Sequence, residues 1–415
     1  MRVLMATWEY PPVVVGGLGR HVYALATALA AAGHEVVVLA RRPSGTDAAT
    51  HPTVDAISGR VRVLAVAEDP PHLEFERDLV AWTLAMGHGM LRAALTRLGG
   101  WRPDVVHAHD WLVAHAAIGL ADVLGVPLVA TIHATEAGRY AGWLSTPLSR
   151  QVHSIEWWLA QRADVVITCS AAMRAEAAEL FERQSGITVA HNGIAPREWR
   201  VGRARVAVAR QRHAPRGPML FYFGRLEYEK GVQDLIAALP RIRKAHPGTR
   251  LLVAGTGTAA DLLVEAARAH RVARSVGFLG HLPDDELAAT LAAADAVVLP
   301  SRYEPFGIVA LESAAAGAPL VASTAGGLAE LVVDGETGVS FTPGDVAGLA
   351  AAVGRVLVDP AGAARRAQAA RARLATDFDW DQIAAETAAV YASAPCGGPV
   401  ELGRPKIATG NVFGS

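Results

Sequence analysis

Ser301-Arg302-Tyr303-Glu304-Pro305-Phe306-Gly307-Ile308-Val309-Ala310-Leu311-Glu312 is the stretch whose reading decides the fold of this chain. It follows the apolar run Ala296-Val297-Val298-Leu299-Pro300, which reads as a buried parallel strand. It leads into an Ala-rich helix that should end near Gly317. A strand end, a short loop and a helix start therefore meet here. Such a junction offers backbone N–H groups and a positive dipole end to an anion. Pro305 and Gly307 shape the loop, and Phe306-Gly307 stand where the first N–H groups without a helical acceptor fall. Glu312, four residues after Ile308, shares its side of the helix and reads as a half-buried carboxylate that wants a donor such as a hydroxyl. On spacing alone, a pair of surface Glu residues is an equal reading.

The same alternation of strand and helix runs outward in both directions. Toward the N-terminus, Arg2–Ala6 reads as a first strand, followed by a loop with Gly16-Gly17 and a helix from Leu18 to Ala32. The glycines let a backbone come close to a ligand, and a phosphate is the natural occupant of such a turn. An ordinary strand-to-helix turn is the alternative. Strands follow at Val36–Ala40 and Arg60–Val66, separated by a polar loop with Pro43, Gly45 and Pro52, and then a long helix at Phe75–Leu98. The strand at Asp104–Ala108 ends in His107-Ala108-His109-Asp110-Trp111, and that at Val126–Ile132 ends in His133-Ala134-Thr135-Glu136. Polar groups at strand C-termini lie where open α/β sheets bind ligands. The His-x-His pair suggests a metal, but no Cys or carboxylate cluster in the sequence completes a set, so no metal ligands are assigned.

Residues 1–196 thus read as one Rossmann-like domain. Pro196–Pro218 is rich in Arg, Pro and Gly without a clean period, so 197–217 read as a link. From Met219 the alternation resumes, and 218–378 read as a second domain of the same kind. Its first strand runs into Gly224-Arg225-Leu226-Glu227-Tyr228-Glu229-Lys230-Gly231, and Gly326-Gly327 open another helix. A last helix spans 379–394, and the Gly- and Pro-rich 395–415 read as disordered.

Composition narrows the function. A chain of 415 residues exceeds a single core, and a formal net charge of −1 gives no field for nucleic acid. Only three of 39 basic residues are Lys, which gives weight to Lys230 inside a motif. Two cysteines, Cys169 and Cys396, build no disulfide framework and fit a reducing cytoplasm. Neither a signal peptide nor an apolar run of ~18–20 residues is visible, so no transmembrane segment is expected.

Taken in order, Glu304-x7-Glu312 with its Pro-Phe-Gly, the Gly-Arg-x4-Lys-Gly element at 224–231 and the Gly-Gly-Leu loop at 16–18 resemble the retaining glycosyltransferases of the GT-B fold, family 4, which includes the glycogen synthases. The resemblance covers roughly residues 1–393. It implies an α/β fold of two Rossmann-like, doubly wound domains facing across a cleft, with the last helix crossing back to the first domain. It also implies that Arg225 and Lys230 hold the donor diphosphate, that Glu304 and the backbone of Phe306 and Gly307 bind the sugar hydroxyls, and that Glu312 binds the ribose. Gly16, Gly17, Gly326 and Gly327 would approach the phosphates and His133 the sugar, while Glu9 and Asp110 on the first domain's rim would face the acceptor. No cofactor and no metal would be needed.

Trp8-Glu9-Tyr10-Pro11-Pro12 and His-x-His-Asp-Trp look most like glycogen synthase-type α-1,4-glucosyltransferases, in particular the actinobacterial branch of glycogen and methylglucose lipopolysaccharide assembly. Val14 stands where bacterial glycogen synthases carry Lys, Ala134 where they carry Asn, and Ala195 where Asp is usual. The missing Lys leaves UDP-glucose and ADP-glucose equally open as donors, with a glucan or oligosaccharide as acceptor. A mannosyltransferase acting on a lipid shares the donor motifs, and a catalytically silent sugar-nucleotide-binding subunit is the reading from another class. The four intact residues Arg225, Lys230, Glu304 and Glu312 speak against silence. A dehydrogenase is disfavoured because Gly255-Thr256-Gly257 lacks a third Gly at the right distance. A phosphorylase is disfavoured because Lys230 already has a role and such chains are far longer.

Overall fold

The computed structural model describes residues 1–14, 16–43, 51–68 and 72–395. Gly45, Cys396 and the tail expected to be disordered from 396 on lie outside the described residues. The chain divides into two compact units, 1–193 with 380 onward, and 194–379.

The first unit is built from β1 (Arg2–Ala6), α1 (Gly17–Ala31), β2 (Glu35–Arg41), β3 (Val54–Ser58), β4 (Val61–Val66), α2 (Leu79–Arg97), β5 (Val105–His109), α3 (Ala114–Leu124), β6 (Leu128–Ile132), α4 (Glu136–Arg139), α5 (Pro147–Arg162), β7 (Val165–Thr168), α6 (Ala171–Leu180) and β8 (Ile187–Val189). Among the described residues these strands form one sheet in the order β3-β4-β2-β1-β5-β6-β7-β8. All neighbours are parallel except β3 and β4. The central strands are buried almost throughout and mostly apolar, as expected where helices cover both faces, with His107, His109 and Thr131 as the polar exceptions. β3 lies in the stretch expected as a polar loop. Its five residues are all exposed at the sheet edge, so no apolar period marks it in the sequence.

The second unit holds α7 (Arg203–His213), β9 (Met219–Phe223), α8 (Val232–Ala245), β10 (Arg250–Ala254), α9 (Ala260–Ala269), β11 (Val276–Gly280), α10 (Asp284–Ala293), β12 (Ala296–Leu299), α11 (Ile308–Ala316), β13 (Leu320–Ser323), α12 (Leu328–Leu331), β14 (Val339–Phe341), α13 (Val346–Val358) and α14 (Pro360–Asp377). Its sheet runs β11-β10-β9-β12-β13-β14, parallel throughout among the described residues.

Within the expected link at 197–217, Arg203–His213 form α7. Only Ala209 of that helix is buried, which hides any apolar period. Ion pairs fix it instead: Arg205 to Asp285, Arg210 to Asp295 at 2.7 Å and Arg212 to Glu286 at 3.2 Å. After 379 the chain rejoins the first unit as α15 (Trp380–Ser393), which packs on α1 and sends the Tyr391 hydroxyl to Nδ1 of His107 at 2.7 Å. Among the described residues no single helix is long and apolar enough to cross a membrane.

Candidate active site

In the second unit the strand order sets β9, β12 and β13 side by side, so the loops after their C-terminal ends are neighbours. Arg225 and Lys230 follow β9, Glu304 to Gly307 follow β12, and Gly326-Gly327 follow β13. Glycines without room for a Cβ lock these loops together. Gly231, at φ 70°, presses against Pro300, whose carbonyl oxygen would lie 1.9 Å from an added Cβ. A Cβ on Gly327 would come within 2.5 Å of Phe306 Cα, while its N–H donates to the Glu304 carbonyl at 2.9 Å. Gly326 and Gly327 therefore have a packing reason to be glycine, whatever ligand they also meet. The Arg302 N–H donates to the Glu229 carbonyl at 2.7 Å, and its guanidinium forks onto Asp234 with two contacts of 2.8 Å.

The outcome is an ion pair, Lys230 Nζ to Glu304 Oε2 at 2.9 Å, with the Ser301 hydroxyl on the same oxygen at 3.2 Å. Both side chains are largely withdrawn from water, 13% and 12% exposed. Arg225 is more open and touches Glu229 at 3.5 Å. Gly307, in the left-handed region at φ 104°, caps α11, and the Phe306 ring is buried edge-on against Phe378. Glu312 is deeper than its expected half-burial, at 3% exposed.

In the first unit β5 lies between β1 and β6, and their C-terminal ends carry Thr7–Glu9, His109-Asp110 and His133. Asp110 adopts φ 61° and accepts the His133 N–H at 2.7 Å. Burial pushes its carboxyl up to about 7, against the opposing influence of that N–H and of Arg139. Burial pushes the His133 imidazole down to about 4, and His21, His107 and His109 well below the usual range, so all four rings are neutral at pH 7.

Glu9 corrects an expectation. It is buried, not on a rim, and its carboxylate accepts the Gly16 N–H at 2.9 Å, so it shapes the loop ahead of α1. An added Cβ on Gly16 meets nothing within 4 Å, and Gly17 opens the helix. The His-x-His pair is also resolved. Both nitrogens of His107 are satisfied, by Tyr391 and by Thr131 at 2.7 Å each. His109 turns instead to His133, Nδ1 to Nε2 at 3.2 Å, and His21 from α1 closes the group. Sequence reasoning missed His21. The only signal was its place one turn into the helix after Gly16-Gly17.

Residues 15–198 match the model of Glycosyltransferase Family 4, and residues 207–373 that of Glycosyl transferases group 1. A glycogen synthase of Mycobacterium tuberculosis (strain ATCC 25618 / H37Rv) is 60% identical over 403 residues, 96% of each chain. The chain belongs to the GT-B glycosyltransferases of family 4. An α-maltose-1-phosphate synthase from the same organism is 33% identical over 411 residues, 94% of this chain and 99% of that one. Among solved structures, a sucrose-phosphate synthase from Thermosynechococcus elongatus superposes with a TM-score of 0.80 at 26% identity, covering 94% of this chain and 98% of the other. Two parallel-sheet Rossmann-like units are the architecture of this glycosyltransferase family.

Proposed function

We propose that this enzyme transfers glucose from UDP-glucose or ADP-glucose to an α-1,4-glucan or a related oligosaccharide, with retention of the anomeric configuration. The observation that carries the reading is the Lys230–Glu304 pair on the adjacent tips of β9 and β12, in a chain so similar to a glycogen synthase.

A leaving nucleoside diphosphate needs fixed positive charge as the glycosidic bond lengthens. Lys230 carries three donors, so it can keep Glu304 and still meet a phosphate oxygen. Arg225, on the same loop after β9 and more open, adds a second charge. With these two cations the diphosphate needs no divalent metal, and we assign none to catalysis. Glu304 is held by Lys230 and Ser301, which suits a carboxylate that accepts sugar hydroxyls. Glu312, on α11, takes the ribose. Asp110 holds the His133 backbone N–H, which fixes the tip of β6, and the neutral imidazole of His133, beside His109, meets a sugar hydroxyl without adding positive charge against the developing cation.

No carboxylate in this set is disposed as nucleophile or opposite-face base. The departing diphosphate is itself the base, and it takes the acceptor's proton on the face it leaves. The new bond therefore forms on the same face through an oxocarbenium-like state. The 33% identity to an α-maltose-1-phosphate synthase favours a second acceptor, glucose 1-phosphate, with the donor chemistry unchanged. A panel of UDP-glucose, ADP-glucose and GDP-mannose against a maltooligosaccharide and against glucose 1-phosphate tests both. Turnover of GDP-mannose alone, or of none, overturns the proposal.

A further inference from the structure

The first unit gathers more histidine than transfer requires. His21, His109 and His133 come from α1, β5 and the tip of β6, and each can bring one ring nitrogen to a common point, the three lying within 4.8 Å of one another. His109 Nδ1 and His133 Nε2 are 3.2 Å apart. Two imidazole nitrogens bound to one tetrahedral zinc at ~2.0–2.1 Å are separated by roughly 3.3–3.4 Å. His21 has only the side chain of Asn192 as a neighbouring polar partner, and neither of its nitrogens nor Nε2 of His109 makes a hydrogen bond of normal geometry among the described residues, although the two rings are only 5% and 0% exposed. Buried polar atoms are seldom left so. His107, by contrast, has both nitrogens occupied and stands outside the group.

We propose that His21, His109 and His133 form a three-histidine site for a first-row transition-metal dication such as Zn²⁺, with the fourth position left to water. Imidazole donors suit zinc, copper and nickel and disfavour Mg²⁺ and Ca²⁺, which take oxygen ligands. The protons balance without loss to solvent. The hydrogen now lying between His109 Nδ1 and His133 Nε2 moves to the far nitrogen of its own ring, and both facing lone pairs turn to the metal. His21 gives up only its long contact with the Asn192 side chain when it swings in. Partial exposure of His133 gives an ion a way in. A metal there takes the imidazole assigned to the sugar, so it inhibits transfer. This consequence rests on the proposed function, while the site itself does not.

The test uses the full chain and Co²⁺ as the probe. Titration should give the visible bands of a four-coordinate ion, saturating at one equivalent, displaced by Zn²⁺ and untouched by Mg²⁺. X-ray absorption on the unaltered zinc-loaded chain should count three imidazole ligands. Loss of a second-shell partner alone weakens metal binding by about 10–100-fold, so loss of a direct ligand in His21→Ala or His21→Gln should weaken it by at least about 100-fold. The exposed His270 supplies the control His270→Gln, which should bind as the parent does. Absence of saturable binding, fewer than three imidazoles on zinc, or equal affinity in a folded His21 variant overturns the site. If one Co²⁺ binds through His21 while transfer runs at full rate, the site stands and the placing of His133 on the sugar falls.

Discussion

Gly231→Ala should damage both stability and turnover, and its magnitude follows from the loop packing. Gly231 sits at φ 70° between the turn carrying Lys230 and the start of α8. A non-glycine residue in that region costs roughly 1–2 kcal/mol. Its Cβ would stand 1.9 Å from the Pro300 carbonyl oxygen, with no flexible side chain to give way. The two backbones must part by about 1 Å, and a misplacement of that size near the chemistry costs on the order of 10²-fold in rate. The same movement stretches the bonds from the Arg302 and Tyr303 N–H groups to the Glu229 carbonyl, now 2.7 and 3.2 Å. Each is worth roughly 0.5–1.5 kcal/mol, so the total loss of stability is about 2–5 kcal/mol. Gly59→Ala is the matched control. Gly59 has φ 62° and nothing within 4 Å of an added Cβ, so it bears only the backbone cost. Urea unfolding gives the stabilities, and kcat/KM at saturating acceptor gives the rate. If Gly231→Ala is as stable as Gly59→Ala and turns over normally, the loop packing does not position Lys230.

Lys230→Ala should lower kcat/KM by on the order of 10²–10³ with the fold intact by circular dichroism, and near-normal turnover would remove Lys230 from the diphosphate. Activity should persist in excess EDTA, and loss on chelation restored by Mg²⁺ or Mn²⁺ would contradict the metal-free reading. Asp110 has a folded-state pKa of about 7 against an ordinary 3.8, so its contribution to stability is full below about pH 4 and is lost as pH rises through 7. Asp110→Asn should therefore gain on the parent by about 4 kcal/mol between pH 4 and 8. Parallel stability–pH curves for the two proteins would refute the shift.

How far the sequence reaches depends on the range of the interaction. Glu304-x7-Glu312, Gly307 and the Arg225–Lys230 element are legible because loop shape and helix capping are written in neighbouring residues. The long apolar strands are legible because both their faces are buried. β3 and α7 are not, since their exposed faces show no apolar period and pairing or ion pairs hold them. Glu9 looked like a rim carboxylate because nothing local tells that Gly16 comes back to it. The partners of the histidines depend on strand order. His107 and His109 alternate identically along β5, yet one meets Tyr391 from α15 and the other His133 from β6. No spacing rule within one segment could separate them.

The most direct measurement is proton NMR of the first product formed from a nucleotide-glucose donor and a maltooligosaccharide. A single new α-anomeric signal from an α-1,4 linkage is expected, with no covalent intermediate trapped on the protein. A β-anomeric signal, or a glycosyl-enzyme on Glu304, would contradict it.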